Sequence, residues 1–228
     1  MARRKTPFFE NEHYHIYNRG IDKRDIFLDQ EDLDRFFKSM VEFNVIEPIG
    51  SLYENAFNKN VQLGGEASKL SAEDDGKLVE FIAYCLNPNH YHFIVRQVSP
   101  RGIEKFMHRL ATGYTMYFNE KEDRNGSLFQ GVFKSVHIDT NEYLLHLSAY
   151  VNLNDRAHRL GGEASKSVRS RSSWEEYADK NMRGICEKEI VLGQFGDRNL
   201  YKEFALSSLD SIIKRKEEFK DLDSFLLE

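Results

Sequence analysis

Two histidines two residues apart are the first feature that could do chemistry. His90 and His92 stand in the stretch Asn-Pro-Asn-His-Tyr-His-Phe-Ile-Val at 87–95. In a β-strand, side chains at positions i and i+2 point to the same face, so the two imidazoles would lie side by side. Neutral imidazole is a common ligand of divalent metal ions. The spacing therefore predicts part of a metal site on a strand.

A tyrosine and an asparagine four residues apart are the second such feature. If one helix runs through Tyr150 and Asn154, their side chains share a face of that helix. The Asn154 amide oxygen is a hard ligand suited to Mg²⁺ or Mn²⁺ beside the imidazoles. Tyr150 would then point at the same site and could attack a phosphate that the metal polarises. The product would be a covalent phosphotyrosine.

Spacing alone leaves several alternatives open. His13-Tyr14-His15 repeats the same triplet, so either triplet could supply the two imidazoles. Tyr114 and Tyr117, in the helix predicted at 101–120, are rival nucleophiles. His146 lies one helical turn before Tyr150 and is either a base or a packed helix histidine.

The hydrophobic pattern predicts the elements that must position these residues. Strands are predicted at 13–18, 78–86, 90–98 and 127–138, and helices after Asp29, at 101–120 and after Thr140 or Asn141. The order β-α-β-β-α-β-α indicates an α+β fold, an antiparallel sheet with helices packed on it. We expect one domain over 1–171, with an insertion at about 46–78 and a flexible segment at about 160–171. Residues 172–228 are expected to form a C-terminal helical extension.

A seven-residue sequence occurs twice in the chain. Leu-Gly-Gly-Glu-Ala-Ser-Lys stands at 63–69 and again at 160–166. Two copies so far apart do not make a solenoid. Their composition is typical of flexible surface insertions.

The net charge of −5 argues mildly against nucleic acid as a partner, but the charge is uneven. Residues 99–171 carry 11 basic and 8 acidic side chains, and a local basic face can bind phosphates on an acidic protein. Candidate phosphate contacts are the N-terminal arm and five further cations along the chain: Arg3, Arg4, Lys5, Arg19, Lys105, Arg109, Lys134 and Arg156.

Composition excludes several other classes of protein. No apolar run approaches the ~18 residues that a membrane-spanning helix needs, and the basic start has no apolar segment after it. Cys85 and Cys186 are far apart and form no CxxC pair, so neither structural zinc nor a disulfide framework is expected. We expect a cytoplasmic protein without membrane partners.

Three ordered motifs carry a family resemblance. They are Asn87-Pro-Asn-His-Tyr-His-Phe93, Leu128-Phe-Gln-Gly-Val-Phe-Lys134 and Tyr143-Leu-Leu-His-Leu-Ser-Ala-Tyr-Val-Asn-Leu-Asn154. Together they resemble the HUH single-tyrosine transposases, and most of all the REP-associated tyrosine transposases. The opening stretch 15–20 and the later stretch 172–177 are also similar to that group. The resemblance covers roughly residues 8–178.

The resemblance implies a fold, a site and a substrate. The fold would be the ferredoxin-like HUH endonuclease fold, with His90, His92 and Asn154 as ligands of Mg²⁺ or Mn²⁺ and Tyr150 as the nucleophile. It favours the second His-Tyr-His triplet, because that one follows the Pro-Asn turn. The implied activity is nicking and strand transfer of single-stranded DNA that carries a hairpin-forming repeat. Such proteins act as monomers or homodimers.

The sequence departs from the family pattern at two positions. Asp155 follows Asn154 where the family usually has proline, and Val132 stands where it often has arginine.

A non-catalytic protein that binds DNA or RNA hairpins is the alternative function. A hydrolase that uses a metal-bound water is a third, against which the absence of an HExxH motif weighs.

Overall fold

The computed structural model describes residues 7–50, 52, 76–157 and 168–225, with side chains as far as residue 211. Both copies of the seven-residue repeat lie outside the described residues, as do Arg3, Arg4, Lys5 and most of the insertion predicted at 46–78. The flexible segment predicted at 160–171 is described only from residue 168 onward.

A five-stranded antiparallel sheet forms the centre of the fold. Its spatial order is β4-β1-β3-β2-β5, so the strand that carries His90 and His92 lies in the middle. This architecture confirms the prediction of an α+β fold with an antiparallel sheet. The strands are β1 (His13–Arg19), β2 (Val79–Asn87), β3 (His90–Gln97), β4 (Lys134–Ile138) and β5 (Arg171–Ser172).

Helices cover both faces of the sheet. One face packs on α1 (Gln30–Glu42) and α2 (Gly102–Lys121). The opposite face packs on α3 (Asn141–Asn152), α5 (Trp174–Ala178), α6 (Glu189–Leu192) and α7 (Arg198–Phe225), with the short α4 (Asn154–Ala157) following α3. In the part of the chain that the structure describes, no helix is both long and apolar enough to cross a bilayer.

The alternation of side chains along β3 decides which helices face the two histidines. Tyr91, Phe93 and Val95 are buried in the core with α1 and α2. Ile94 belongs to the core on the opposite face, and His90 and His92 share its face because successive side chains alternate. The two imidazoles therefore point toward the layer that contains α3 and Tyr150.

The prediction of a strand at 127–138 is wrong for its first half. Only Lys134–Ile138 pairs as a strand, with β1. Before it, Phe129 makes an isolated bridge to Gly20, and Gly131 has φ +69°, a conformation that glycine adopts without strain. The Gln130 N–H donates to the Arg19 carbonyl at 2.8 Å. This irregular segment wraps around the end of β1, beside the mouth of the site described below.

The C-terminal helix α7 packs against α3 through buried polar contacts. Tyr201 of α7 is fully buried, and its hydroxyl lies 3.1 Å from Ser148 Oγ and 2.8 Å from Asn152 Nδ2. Ser173 Oγ donates to the other end of the Asn152 amide. The division predicted between residues 171 and 172 falls inside β5, and it stays a prediction about folding units.

Candidate active site

A tight hairpin between β2 and β3 presents the first imidazole. Asn87 pairs with His90 across the turn, so Pro88 and Asn89 form its two-residue loop. The Pro88 carbonyl accepts hydrogen bonds from the N–H groups of Ile26 and Phe27, at 2.7 and 3.0 Å. The loop is thereby tied to the body of the protein, which holds His90 at a defined position at the start of β3.

The hydrogen bonds of His90 determine which ring nitrogen faces the site. Its Nδ1 lies 2.6 Å from Asn89 Oδ1, an atom that only accepts, so Nδ1 carries the proton. The lone pair then belongs to Nε2, which lies 2.9 Å from Asn87 Nδ2 and 3.2 Å from Asn154 Oδ1. A partner on the second nitrogen is the usual way in which proteins orient a metal-binding imidazole.

Asn154 reaches this site through a break in the helix. The structure does not continue α3 through both Tyr150 and Asn154: α3 ends at Asn152, and Leu153 has φ −111° and ψ 19°. The Leu153 and Ala157 N–H groups still donate to the carbonyls of Ala149 and Leu153, so the chain keeps its helical course across the break. Asn154 is buried, and its side chain remains close to Tyr150.

The side chains present fit a divalent cation. His90 Nε2 and Asn154 Oδ1 both offer lone pairs, and both are within 3 Å of the same donor, Asn87 Nδ2. Two imidazoles and an amide oxygen are a donor set suited to Mg²⁺ or Mn²⁺. Among the described residues, no group of three or more His, Cys, Asp or Glu side chains could hold a metal ion. The Asn154 amide oxygen is a third donor beside the two imidazoles at this position.

The second imidazole is hydrogen-bonded to a histidine of the first triplet. His92 Nδ1 lies 2.9 Å from His15 Nε2, and both side chains are buried. Burial lowers the pKa of His15 to about 4, so this ring is neutral at physiological pH. His13 lies instead among Glu12, Arg96 and His137, where burial also lowers its pKa. The first triplet thus contributes one residue to the site.

Tyr150 faces His92 from α3. The two rings meet edge to face, with centroids 5.6 Å apart and planes at 83°. Desolvation by burial raises the pKa of the Tyr150 hydroxyl above 10, and the hydrogen bond with Asn154 acts in the opposite direction. At neutral pH the side chain is therefore a protonated phenol, which must lose its proton before or during an attack.

These side chains open onto a cleft of about 420 Å³ that is positively charged. Among the described residues that line it, none is acidic. Lys23 has a backbone φ of +60°, uncommon for a residue other than glycine, and its carbonyl accepts from Asn89 Nδ2 at 3.1 Å. The lining includes His90, His92, Tyr150, Arg19, Lys23 and Lys134.

The register of the sheet explains why these cations lie there. Arg19 pairs with His90, and Tyr17 pairs with both His92 and Lys134 on its two sides. Arg19 Nε donates to Gln130 Oε1, which ties the guanidinium to the irregular segment before β4. Sequence reasoning missed Lys23 and Gln130, because their position depends on turns and on pairing between distant segments.

The other predicted phosphate contacts lie elsewhere. Lys105 and Arg109 are on α2, which covers the opposite face of the sheet, and Arg109 donates to the carbonyls of Val45 and Ile46. Arg156 is exposed outside the cleft, with its guanidinium 5.3 Å from the ring centroid of Trp174. Of the described candidates, the structure brings only Arg19 and Lys134 to the cleft.

The rival nucleophiles are also on α2, away from the imidazoles. Tyr114 is buried and donates to the Ile26 carbonyl at 2.6 Å. The Tyr117 hydroxyl lies 3.1 Å from Asp32 Oδ1, and burial raises its pKa to about 12. His146 packs on Phe204, with ring centroids 5.1 Å apart. The structure brings Tyr150 alone of these candidates to His92.

With this geometry in place, comparison with known proteins finds a family whose sequence model matches part of the chain. Residues 64–154 match the sequence model of the family described as "Transposase IS200 like". The matched span contains both imidazoles, Tyr150 and Asn154. The match confirms the resemblance to single-tyrosine transposases that the motifs predict.

One solved structure is similar in its backbone course. It is described as "Structure of the REP associates tyrosine transposase bound to a REP hairpin". The TM-score is 0.48 at 13% sequence identity, and the alignment covers 81% of this chain and 90% of that chain. No curated protein matches the chain in sequence.

Proposed function

We propose that this protein is a metal-dependent endonuclease and strand transferase for single-stranded DNA. The observation that carries the proposal is the convergence of Tyr150 and two imidazoles on one cleft whose described lining residues include no acid. The buried Asn154 amide oxygen lies 3.2 Å from His90 Nε2. That combination pairs a nucleophile with a cation site and with positive charge for a polyanion. The IS200-like family match supports a transposase.

The reaction exchanges one phosphodiester for another. Tyr150 Oη forms a bond to the phosphorus atom, and the bond between phosphorus and the 3′ oxygen breaks. The phenol proton passes to water in the cleft, and the departing 3′ oxygen takes up a proton to become a free hydroxyl. The 5′ phosphate remains on Tyr150 as a phosphotyrosine, so a second 3′ hydroxyl can later reverse the exchange and join a new strand.

The residues around Tyr150 have separate tasks in this step. His90, His92 and Asn154 would hold Mg²⁺ or Mn²⁺, which when bound polarises the phosphate and offsets its negative charge. The edge-to-face contact with His92 fixes the direction of the Tyr150 ring. Arg19 at the end of β1 and Lys134 at the start of the neighbouring β4 both line the cleft and bind phosphates of the strand that enters it.

The DNA that we propose as substrate carries a hairpin-forming repeat. The proposal comes from the resemblance in the motifs, and the solved transposase described above is bound to a REP hairpin. Incubation with labelled hairpin DNA and Mn²⁺ tests it, through a covalent adduct on Tyr150.

Removal of cleft cations is expected to weaken DNA binding in a salt-dependent way. Each of Arg19→Gln and Lys134→Gln should reduce the slope of log K against log salt concentration by about 0.7, the value for one phosphate contact on a single strand. Fluorescence anisotropy with a labelled single strand at several salt concentrations measures the slope.

The matched control for this prediction is Lys105→Gln. Lys105 is an exposed cation on the opposite face of the sheet, so its loss changes net charge by the same amount without touching the cleft. Equal slopes for Lys105→Gln and Lys134→Gln would mean that the cleft does not bind the strand.

A further inference from the structure

We propose that His15 is a positioning residue that fixes His92 as a metal ligand. The inference rests on the proposed metal site. It adds His15, which lies on β1, whereas the proposed ligands lie on β3 and α4. It stands on the contact between two buried rings of neighbouring strands.

The contact is specific and protected from water. His15 Nε2 lies 2.9 Å from His92 Nδ1, and the two side chains are 7% and 9% exposed. The antiparallel register pairs Tyr17 with His92, which places His15 diagonally across from His92 on the same face. No rearrangement is needed for the two nitrogens to meet.

This contact determines which nitrogen of His92 can bind a cation. An imidazole that ligates through Nε2 carries its proton on Nδ1, and that N–H needs an acceptor in a buried setting. His15 Nε2 lies 2.9 Å from His92 Nδ1 and accepts that proton when His92 is in the tautomer that binds metal through Nε2. With the proton on Nδ1, the lone pair of the His92 ring lies on Nε2.

Ring stacking restricts the same side chain in rotation. Tyr17 stacks on His15, with centroids 4.9 Å apart, and on His92, with centroids 5.7 Å apart. The rings of His15 and His92 are also nearly parallel, at 20°. The ring of His92 is thus held by its hydrogen bond to His15 and by stacking against the rings of His15 and Tyr17.

His90 has a separate tether for the same purpose. Asn89 Oδ1 accepts from its Nδ1, as His15 does for His92. His15 and His92 are both buried, and burial of polar side chains that only filled space would be less favourable than burial of apolar ones of similar size. The pairing of both imidazoles through Nδ1 therefore points to a task that apolar residues do not perform.

Mn²⁺ binding to the full-length protein without DNA tests the inference, by electron paramagnetic resonance of free and bound Mn²⁺. His15→Phe keeps a ring in the stack but removes the acceptor, and we expect it to weaken Mn²⁺ binding about 10- to 100-fold. His15→Gln restores an acceptor oxygen, and it should recover most of the lost affinity. His13→Phe, on the same face of β1 but without contact to His92, should bind Mn²⁺ like the parent.

The outcomes separate this inference from the proposed function. Parent-like Mn²⁺ affinity in His15→Phe overturns the positioning role while the metal site stands. Equal loss in His15→Phe and His15→Gln overturns it too, because a purely structural role gives no rescue by an acceptor. A parent protein that binds no Mn²⁺ overturns the metal site itself, and the inference with it. Circular dichroism on each variant verifies that the fold is retained.

Discussion

Replacement of Tyr150 by phenylalanine is expected to abolish the covalent adduct between protein and DNA while DNA affinity stays close to that of the parent. Phenylalanine keeps the ring that packs edge to face on His92 but lacks the attacking oxygen. Removal of a covalent nucleophile costs at least ~10³-fold in rate in well-studied enzymes. The measurement is a denaturing gel after incubation with labelled hairpin DNA and Mn²⁺, followed by peptide mapping of the adduct.

Tyr143→Phe is the matched control for this substitution. Tyr143 lies on the same helix, is partly exposed, and lines a groove beside α7 that Tyr150 also borders, but it does not line the cleft with the two imidazoles. Its adduct yield should equal that of the parent. An adduct that persists in Tyr150→Phe would assign the attack to another residue.

Two further results would contradict the proposed chemistry as a whole. Retarded DNA without any adduct in the parent protein, across several candidate repeats, would favour a hairpin-binding protein that does not cut. Cleavage that survives Tyr150→Phe and leaves no adduct would favour a metal-bound water as nucleophile.

Replacement of His90 by alanine is expected to lower both Mn²⁺ affinity and cleavage, with cleavage falling ~10³-fold, by analogy with the loss of a catalytic group. The substitution removes the Nε2 atom that faces Asn154, while Asn87 Nδ2 keeps its hydrogen bond to Asn154 Oδ1. The local fold should therefore persist. Mn²⁺ titration and initial cleavage rates on the same preparations measure the two effects.

His146→Ala provides the control for loss of a histidine. His146 lies on α3 and packs on Phe204, outside the cleft with the two imidazoles. Its Mn²⁺ affinity and cleavage should match the parent. Full cleavage by His90→Ala, or cleavage by the parent in excess chelator, would rule out the proposed ligand set.

Local periodicity accounts for the part of the site that the sequence predicts. The two-residue repeat of a strand places His90 and His92 on one face, and the four-residue spacing keeps Tyr150 near Asn154. The sequence does not predict the interruption at Leu153, because it lacks the proline that would indicate one there. The helical course survives the break, so the predicted proximity holds although the helix is not continuous.

Contacts between distant segments account for what the sequence does not predict. His15 meets His92 through the register of β1 against β3, which no spacing within either triplet reveals. Lys105 and Arg109 are on the polar side of an amphipathic helix, but periodicity does not tell which face of the sheet that helix covers. The position of the layers decides whether a cation can reach the cleft.

The Asn87 amide has a consequence for the order in which the complex assembles. Because it donates to both His90 Nε2 and Asn154 Oδ1, these two proposed ligand atoms have a partner before any cation arrives. A cation at this position would exchange one partner for another, unlike the zinc of a finger domain, without which the chain is unfolded. In the proposed reaction the protein would therefore be folded, and able to bind DNA, before the cation arrives.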